Sequence, residues 1–366
     1  MKSSSEALAI RGDLLSCYTA SIAAYLERNQ IDYELVLGTQ LFLAISVEPA
    51  ETPRFSFVHY HTPLLGDIAT HSLHLARESA AEPEEAARRI CAEWRRSGAV
   101  IVVGDAMNLP WLVTCGRKHA PHWFLIADVD EQAGQMQIVD QFEFTDAGGV
   151  QLPFVGNVEL GLLPDLCRAN PEPRHVFSAR DRWAFGVCDP GSIGAEHQWF
   201  AQQAPPSMRP VSAALLWDRL RTTWLYNSGQ RRRDDLPAEW SCGVAAIRLL
   251  AEQIERALDE PALYEISDDL WVAARNRQLF TQVLRRLARE LSAEELEALA
   301  IWGEAELVPQ WHAVPRVMHY NLGSLQRGRR PTGLLVQTLR AVADLEAQLM
   351  ERLGEILGRY GEEQRS

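Results

Sequence analysis

The sequence predicts an α+β fold in which a mixed α/β first half precedes a mainly helical second half. The clearest strand signal is the run of β-branched residues at 99–103, which is typical of a buried strand. From residue 241 onward, apolar residues recur at three- and four-residue intervals, as in amphipathic helices. Between these parts, residues 152–235 contain eight prolines and show no regular period. We therefore predict a first domain at 1–155, an irregular Pro- and Arg-rich connecting region at 156–235, and a helical domain at 236–366.

A helix is expected at residues 20–28, with Ser16 as its N-cap and Cys17 close to its N-terminus. Residues 122–130 and 135–140 are strand-like and flank the turn signature Glu131-Gln132-Ala133-Gly134, so they predict a β-hairpin. The other elements predicted in the first half are an apolar segment at 35–47, a strand at 55–60, a helix at 82–96 that ends at Gly98, and the strand at 99–103 that Gly104 breaks.

The second half contains several predicted helices, at 212–221, 242–258, 269–291, 293–302 and 332–360. The last of these carries leucines close to a heptad stripe. Such a stripe indicates either a coiled coil between two copies of the chain, and hence a homodimer, or a helix packed on its own domain.

The composition excludes several classes of protein. Lys and Arg number 36 against 49 Asp and Glu, and the resulting net charge of −13 argues against nucleic acid as the main partner. No apolar run is long enough to cross a bilayer, and the N-terminal segment has no signal-peptide core, so a cytoplasmic location without membrane attachment is expected.

Metal and nucleotide sites are not expected either. The six cysteines contain no C-x-x-C pair, and the histidines at 59, 61, 71 and 74 lack regular ligand spacing. The glycine pairs match no dinucleotide or phosphate-loop pattern. We therefore predict no bound metal and no bound cofactor.

A cysteine nucleophile needs a stabilised thiolate, a base, and a group that orients the base. The helix N-terminus can stabilise the thiolate of Cys17, because its backbone N–H groups favour a nearby anion. The predicted hairpin brings His122 and Asp140 side by side, so that the carboxylate can orient the imidazole. His119 is an alternative base, and a buried structural thiol with a strand-end histidine and a turn aspartate is the non-catalytic alternative.

Three runs carry a family resemblance: residues 16–26 (SCYTASIAAYL), residues 104–111 (GDAMNLPW), and residues 122–130 (HWFLIADVD) with Val139-Asp140. Together they resemble the N-terminal domain of the BtrH family, named for the acyltransferase of butirosin biosynthesis. The resemblance covers about residues 8–150, and the Cys242–Arg248 run, CGVAAIR, is similar to the helical region that accompanies this domain. It implies a papain-like domain related to bacteriocin-processing peptidases.

The resemblance implies that Cys17 is the acyl-accepting nucleophile, His122 the base and Asp140 its orienting partner. Asp105 would lie in a loop near the site. Papain-like peptidases place a Gln before the Cys as an oxyanion donor, whereas here Arg11, Gly12 and Asp13 stand upstream. The donors would then be the Cys17 backbone N–H and a second group, for which Arg11 and Asn108 are the candidates.

The function implied is transfer of an acyl or aminoacyl group from the phosphopantetheine thioester of an acyl or peptidyl carrier protein to an amine or hydroxyl of a small metabolite, in antibiotic or other secondary-metabolite biosynthesis. The alternatives are a thioesterase or cyclising enzyme with the same cysteine, and a non-catalytic binding protein. A carrier protein is commonly acidic, so a basic docking patch is required, and the candidates are Arg231, Arg232 and Arg233.

Overall fold

The computed structural model describes residues 10–48, 53–59, 73–146, 149–168, 197–203, 212–234 and 236–363. Its strands are β1 (Leu43–Glu48), β2 (Arg54–His59), β3 (Leu75–Ala80), β4 (Val100–Asp105), β5 (Pro121–Asp130), β6 (Gln135–Asp140), β7 (Phe144–Asp146), β8 (Gly149–Gln151), β9 (Phe154–Glu159), β10 (His197–Gln202) and β11 (Ser241–Cys242). Its α-helices are α1 (Cys17–Arg28), α2 (Tyr33–Leu37), α3 (Pro83–Ser97), α4 (Leu163–Leu166), α5 (Ala213–Asn227), α6 (Gly243–Arg256), α7 (Ser267–Glu290), α8 (Glu294–Trp302), α9 (Val308–Gln326) and α10 (Leu334–Glu363). The α+β class predicted from the sequence is confirmed.

The chain forms two compact units, each made of two separated stretches. The first unit comprises Met1–Val36 and His61–Pro210, and the second comprises Leu37–Tyr60 and Val211–Ser366. The boundaries of these units differ from the predicted domain boundaries at 155 and 235. The reason is strand pairing: β9 and β10, from the stretch expected to be irregular, join the sheet of the first unit, while β1 pairs with β11 in the second.

The first unit is built on a six-stranded sheet in the order β3-β10-β4-β5-β6-β9, with every neighbouring pair antiparallel. The central strands β4 and β5 bury most of their side chains because β-branched and aromatic residues cover both faces. The predicted hairpin is confirmed, since β5 and β6 pair around the turn at 131–134 with Leu125 opposite Val139. This rigid sheet is the frame that carries His122 and Asp140.

Gly104 does not break β4 as the sequence suggested. The strand continues to Asp105, and Gly104 pairs with His122 on β5. A side chain at Gly104 would place its Cβ 2.3 Å from the carbonyl oxygen of Leu166. The glycine therefore permits a close approach of α4 to the sheet.

Two helices of the first unit begin and end as their sequences predict. Ser16 caps α1, and α3 ends at Gly98, which adopts the left-handed conformation with a φ of 79°. Helix α1 packs on β5 and β6, and α3 packs on β10 and β4. Both helices therefore bury their apolar sides against the sheet.

The second unit combines the sheet β11-β1-β2 with helices α5 to α10. The apolar stripe of α10 is part of its own core: Leu339, Leu349 and Leu353 are fully buried, and the helix packs on α5, α6 and α9. Packing within the unit thus accounts for the stripe, and the homodimer stays a prediction. The sequence did not indicate α9, because Pro315 lies inside it. Within the described residues, no helix is both long and apolar enough to span a bilayer.

Candidate functional site

Cys17 is the first residue of α1, and local hydrogen bonds fix it there. Ser16 Oγ accepts from the Thr19 N–H over 3.2 Å, and Thr19 Oγ1 accepts from the Ser16 N–H over 2.9 Å. This reciprocal capping box sets the first turn, so the thiol stands at the positive end of the helix dipole. Cys17 is half-buried, as are Cys91 and Cys115.

His122 and Asp140 meet because of the register of the β5–β6 hairpin. Leu125 lies opposite Val139, and extending that register places Asp140 across from Phe124. His122 is two residues further along the same face, which makes it the diagonal neighbour of Asp140. The atoms His122 Nε2 and Asp140 Oδ2 are 2.7 Å apart, and the two side chains are only 6% and 1% exposed. The carboxylate thus holds the imidazole through Nε2.

The thiol of Cys17 is hydrogen-bonded to the His122 side chain. Because Nε2 is taken by Asp140, the ring nitrogen left for the sulfur is Nδ1. The neighbouring residues also touch: the Tyr18 ring packs edge-on against Trp123, with centroids 5.5 Å apart. The structure therefore brings Cys17, His122 and Asp140 together in the order expected of nucleophile, base and orienting group.

Opposite charges around His122 outweigh its burial. Burial alone would lower the pKa of the imidazole, but the charges of Asp140 and Cys17, with the hydrogen bonds from both, raise it to about 10. At neutral pH the ring is therefore an imidazolium that holds one proton towards the carboxylate and one towards the sulfur. Such a cation beside a helix N-terminus favours the thiolate form of Cys17.

Asp140 accepts two further hydrogen bonds that the sequence did not indicate. The Phe142 N–H donates to Oδ1 over 3.1 Å, and the Trp111 Nε1–H donates to Oδ2 over 2.8 Å. The Phe142 ring also lies edge-on to the His122 ring, with centroids 5.7 Å apart. Both oxygens of this buried carboxylate are thus hydrogen-bonded, which fixes its orientation towards His122.

Asp105 anchors a loop next to the site. Its Oδ1 accepts from the N–H groups of Met107 and Ala120, each over 3.1 Å, and its Oδ2 lies 2.6 Å from His119 Nδ1. Asp105 therefore ties together the two ends of the loop at 106–120, directly before His122. His119, the alternative base, is engaged with Asp105. Asn108 is half-buried at the end of the short 3-10 turn that Asp105 caps.

The side chain of Arg11, a candidate oxyanion donor, is paired with another residue. Its Nε and Nη2 atoms donate to the two carboxylate oxygens of Asp13, over 2.9 and 2.8 Å, on the protein surface. The Arg11 backbone N–H donates to Tyr33 Oη over 3.1 Å. The guanidinium would have to leave Asp13 before it could serve as an oxyanion donor.

Gly12 joins the segment before Cys17 to the residue after Asp140. A Cβ built on Gly12 would lie 1.7 Å from the carbonyl oxygen of Gln141, so the two backbones are in direct contact. Only glycine fits there without a backbone shift. Apart from the glycine itself, no local pattern in the sequence indicated this contact.

The three candidate docking arginines lie in the second unit, and they differ in exposure. The Arg233 guanidinium stacks 4.7 Å from the centroid of the Phe42 ring and is half-buried. Arg231 and Arg232 are exposed, with Arg231 near Asp234 at 3.9 Å and Arg232 hydrogen-bonded to the Pro237 carbonyl. Arg231 and Arg232 are therefore the two that present charge at the surface.

A cleft of about 670 Å³ lies beside these arginines in the second unit, between the end of α5, the start of α6 and the second half of α10. Gln230, next to Arg231, forms part of its wall. Two residues of the CGVAAIR run, Cys242 and Arg248, also line it. This volume is typical of small-molecule sites.

No protein-family model matches the chain, and no curated protein matches it at a significant level. The BtrH-like resemblance therefore stays a prediction. Among the described residues, no three His, Cys, Asp or Glu side chains are grouped as a metal ion would require. His61, His71 and Cys188 lie outside the described residues.

The contact at Gly12 predicts a strong effect of one methyl group. Gly12→Ala should push the segment at 12–14 away from Gln141 and lower the alkylation rate of Cys17 at pH 6 by about tenfold or more, because it displaces the sulfur from His122. Gly161→Ala is the matched control, since a Cβ there meets no atom within 4 Å. An unchanged rate in Gly12→Ala would contradict the positioning role of this contact.

The charge on His122 predicts a preference for anionic reagents. Below pH 10, the imidazolium should make Cys17 react faster with iodoacetate, relative to iodoacetamide, than Cys115 does. The ratio of the two rates at Cys17 should fall as the pH rises through about 10, where His122 loses its proton. In His122→Ala the ratio should be low at every pH. A ratio that stays constant from pH 7 to 11 in the wild type would show that no imidazolium faces the sulfur.

Proposed function

We propose that this protein is a cysteine-dependent acyltransferase with a papain-like site. The proposal rests on two contacts. The Cys17 thiol interacts with the His122 side chain, and His122 Nε2 interacts with Asp140 Oδ2. The nucleophile begins a helix, the base lies on a sheet, and a buried carboxylate orients the base, which is the division of roles that thiol catalysis requires.

In the first half-reaction, the Cys17 thiolate attacks the carbonyl carbon of an acyl thioester. A bond forms between Sγ and the carbonyl carbon, and the bond from that carbon to the donor sulfur breaks. The departing thiolate takes the Nδ1 proton of His122, so the donor leaves as a neutral thiol and the ring becomes neutral. The acyl group is then held as a thioester on Cys17.

In the second half-reaction, an amine or hydroxyl of a small metabolite attacks the acyl-enzyme. His122 Nδ1, now unprotonated, takes the proton of the attacking group. The Cys17 thiolate leaves, and the imidazolium–thiolate pair is restored. Throughout both half-reactions, Asp140 holds the ring in one orientation through Nε2.

The proposed donor is the phosphopantetheine arm of an acyl or peptidyl carrier protein. Exchange of an acyl group between two thiols is nearly isoenergetic, so a cysteine nucleophile suits a thioester donor. The chain carries a net charge of −13, which would repel an acidic carrier. Docking therefore needs a local basic surface, and Arg231 and Arg232 supply exposed positive charge.

A trapped intermediate would test the acyl transfer directly. Incubation with an acyl-loaded carrier protein should add the mass of the acyl group to Cys17, and the adduct should be absent from Cys17→Ala. In His122→Ala its formation should slow by about a hundredfold, because the leaving thiolate has lost its proton donor. Intact mass spectrometry with peptide mapping measures both.

The fate of the adduct separates the alternatives. Transfer to an added amine supports the acyltransferase, whereas release as free acid or as a cyclic product would indicate a thioesterase or cyclising enzyme. Absence of any adduct on Cys17 would favour a non-catalytic binding protein and would overturn the proposal.

Carrier docking can be tested by charge reversal. Arg231→Glu combined with Arg232→Glu should raise the KM for the loaded carrier about tenfold and leave the rate with a small free thioester unchanged. Arg329→Glu combined with Arg330→Glu makes the same charge change on another exposed surface of the second unit. Equal KM values for the carrier in the two double variants would show that Arg231 and Arg232 do not dock it.

A further inference from the structure

Asp140 is held by a tryptophan whose role was not predicted from the sequence. Trp111 Nε1–H donates to Asp140 Oδ2 over 2.8 Å, and the same oxygen accepts from His122 Nε2 over 2.7 Å. The Phe142 N–H occupies the other oxygen. Three donors therefore converge on one carboxylate that is 1% exposed.

The indole of Trp111 is fixed by contacts other than that hydrogen bond. It stacks on the Phe154 ring with centroids 5.3 Å apart and an interplanar angle of 9°, and it meets the Phe124 ring edge-on at 5.3 Å. These aromatic contacts set the plane of the indole and hence the direction in which its N–H points. The donor is thus preorganised towards Asp140.

The backbone around Trp111 is also tethered. Gln151 Oε1 accepts from the Val113 N–H over 2.9 Å, and Gln151 Nε2 donates to the Trp111 carbonyl over 3.5 Å. Asp105 ties the two ends of the same loop together. The loop at 106–120 is therefore held at its ends and near its middle, and this keeps the Trp111 N–H within hydrogen-bonding distance of Asp140.

We propose that Trp111 is a positioning residue of the site, whose indole N–H keeps Asp140 directed at His122. The inference rests on the proposed function for its kinetic consequence, because it assumes that the Cys17–His122 pair reacts. The contact with Asp140 raises the pKa of His122, and the resulting imidazolium favours the Cys17 thiolate. If Asp140 lost its orientation, this contact would weaken and the Cys17 thiolate would be protonated at a higher pH.

The matched test compares Trp111→Phe with Trp94→Phe. Both residues are half-buried in the first unit, but the Trp94 indole nitrogen is buried without a hydrogen-bond partner, so its replacement removes the same atoms and no hydrogen bond. The readout is the rate of Cys17 alkylation by iodoacetamide between pH 3.5 and 9, with peptide mapping.

In Trp111→Phe, the acid-side midpoint of this profile should rise by about one pH unit, and the rate at pH 6 should fall up to about tenfold. Trp94→Phe should follow the wild type. A merely structural role would slow the reaction without moving the midpoint. If the two variants give superimposable profiles while wild-type Cys17 reacts quickly, the inference is overturned; slow wild-type alkylation would instead count against the proposed function.

A second measurement needs no variant and therefore does not depend on the folding of Trp111→Phe. In the wild-type protein labelled with ¹⁵N, the Trp111 indole resonance should shift over the acid side of the Cys17 profile, because its N–H binds the carboxylate that contacts His122, while the Trp94 resonance should not. The two indoles can be assigned by triple-resonance spectroscopy. A Trp111 resonance that stays constant over the pH range in which Cys17 loses its reactivity would contradict the inference, whatever the protein catalyses.

Discussion

The hydrogen bond between His122 Nε2 and Asp140 Oδ2 is the interaction on which the rest of the site depends. Both side chains are buried, and an isolated charge in such surroundings would be expensive, so each is tolerated because the other compensates it. The pair exists only while β5 and β6 keep their register, since a one-residue slip would turn His122 to the other face of the sheet. The charge on Asp140 then keeps a proton on the imidazole, and that proton holds the sulfur of Cys17.

Separate parts of the first unit fix the positions of Cys17, His122 and Asp140. The Ser16 capping box sets the start of α1 and the position of Cys17, while Gly12 brings the preceding segment against Gln141. The sheet sets His122, and Trp111 with Phe142 sets Asp140. These contacts hold the reacting groups in place, so that a reaction that needs sub-ångström positioning requires little reorganisation of the side chains.

Local sequence signals predicted the parts of the site that depend on neighbouring residues. Ser16 before an apolar run indicated the helix start, and the turn at 131–134 between two strand-like runs indicated that His122 and Asp140 meet. Contacts between distant segments left no such signal, as Trp111 with Asp140 shows. The unit boundaries were missed for the same reason, because β9 and β10 are recognisable only through the strands they pair with. Helix α9 was missed because Pro315 interrupts its pattern.

The most direct test of the Cys17–His122 pair is the alkylation of the thiols by iodoacetamide at pH 6, followed residue by residue with peptide mapping. We expect Cys17 to react much faster than Cys91 and Cys115, which are also half-buried, and this advantage to disappear in His122→Ala. If Cys17 in the wild type reacts no faster than those two thiols, no imidazolium–thiolate pair is present and the catalytic interpretation of the site is contradicted.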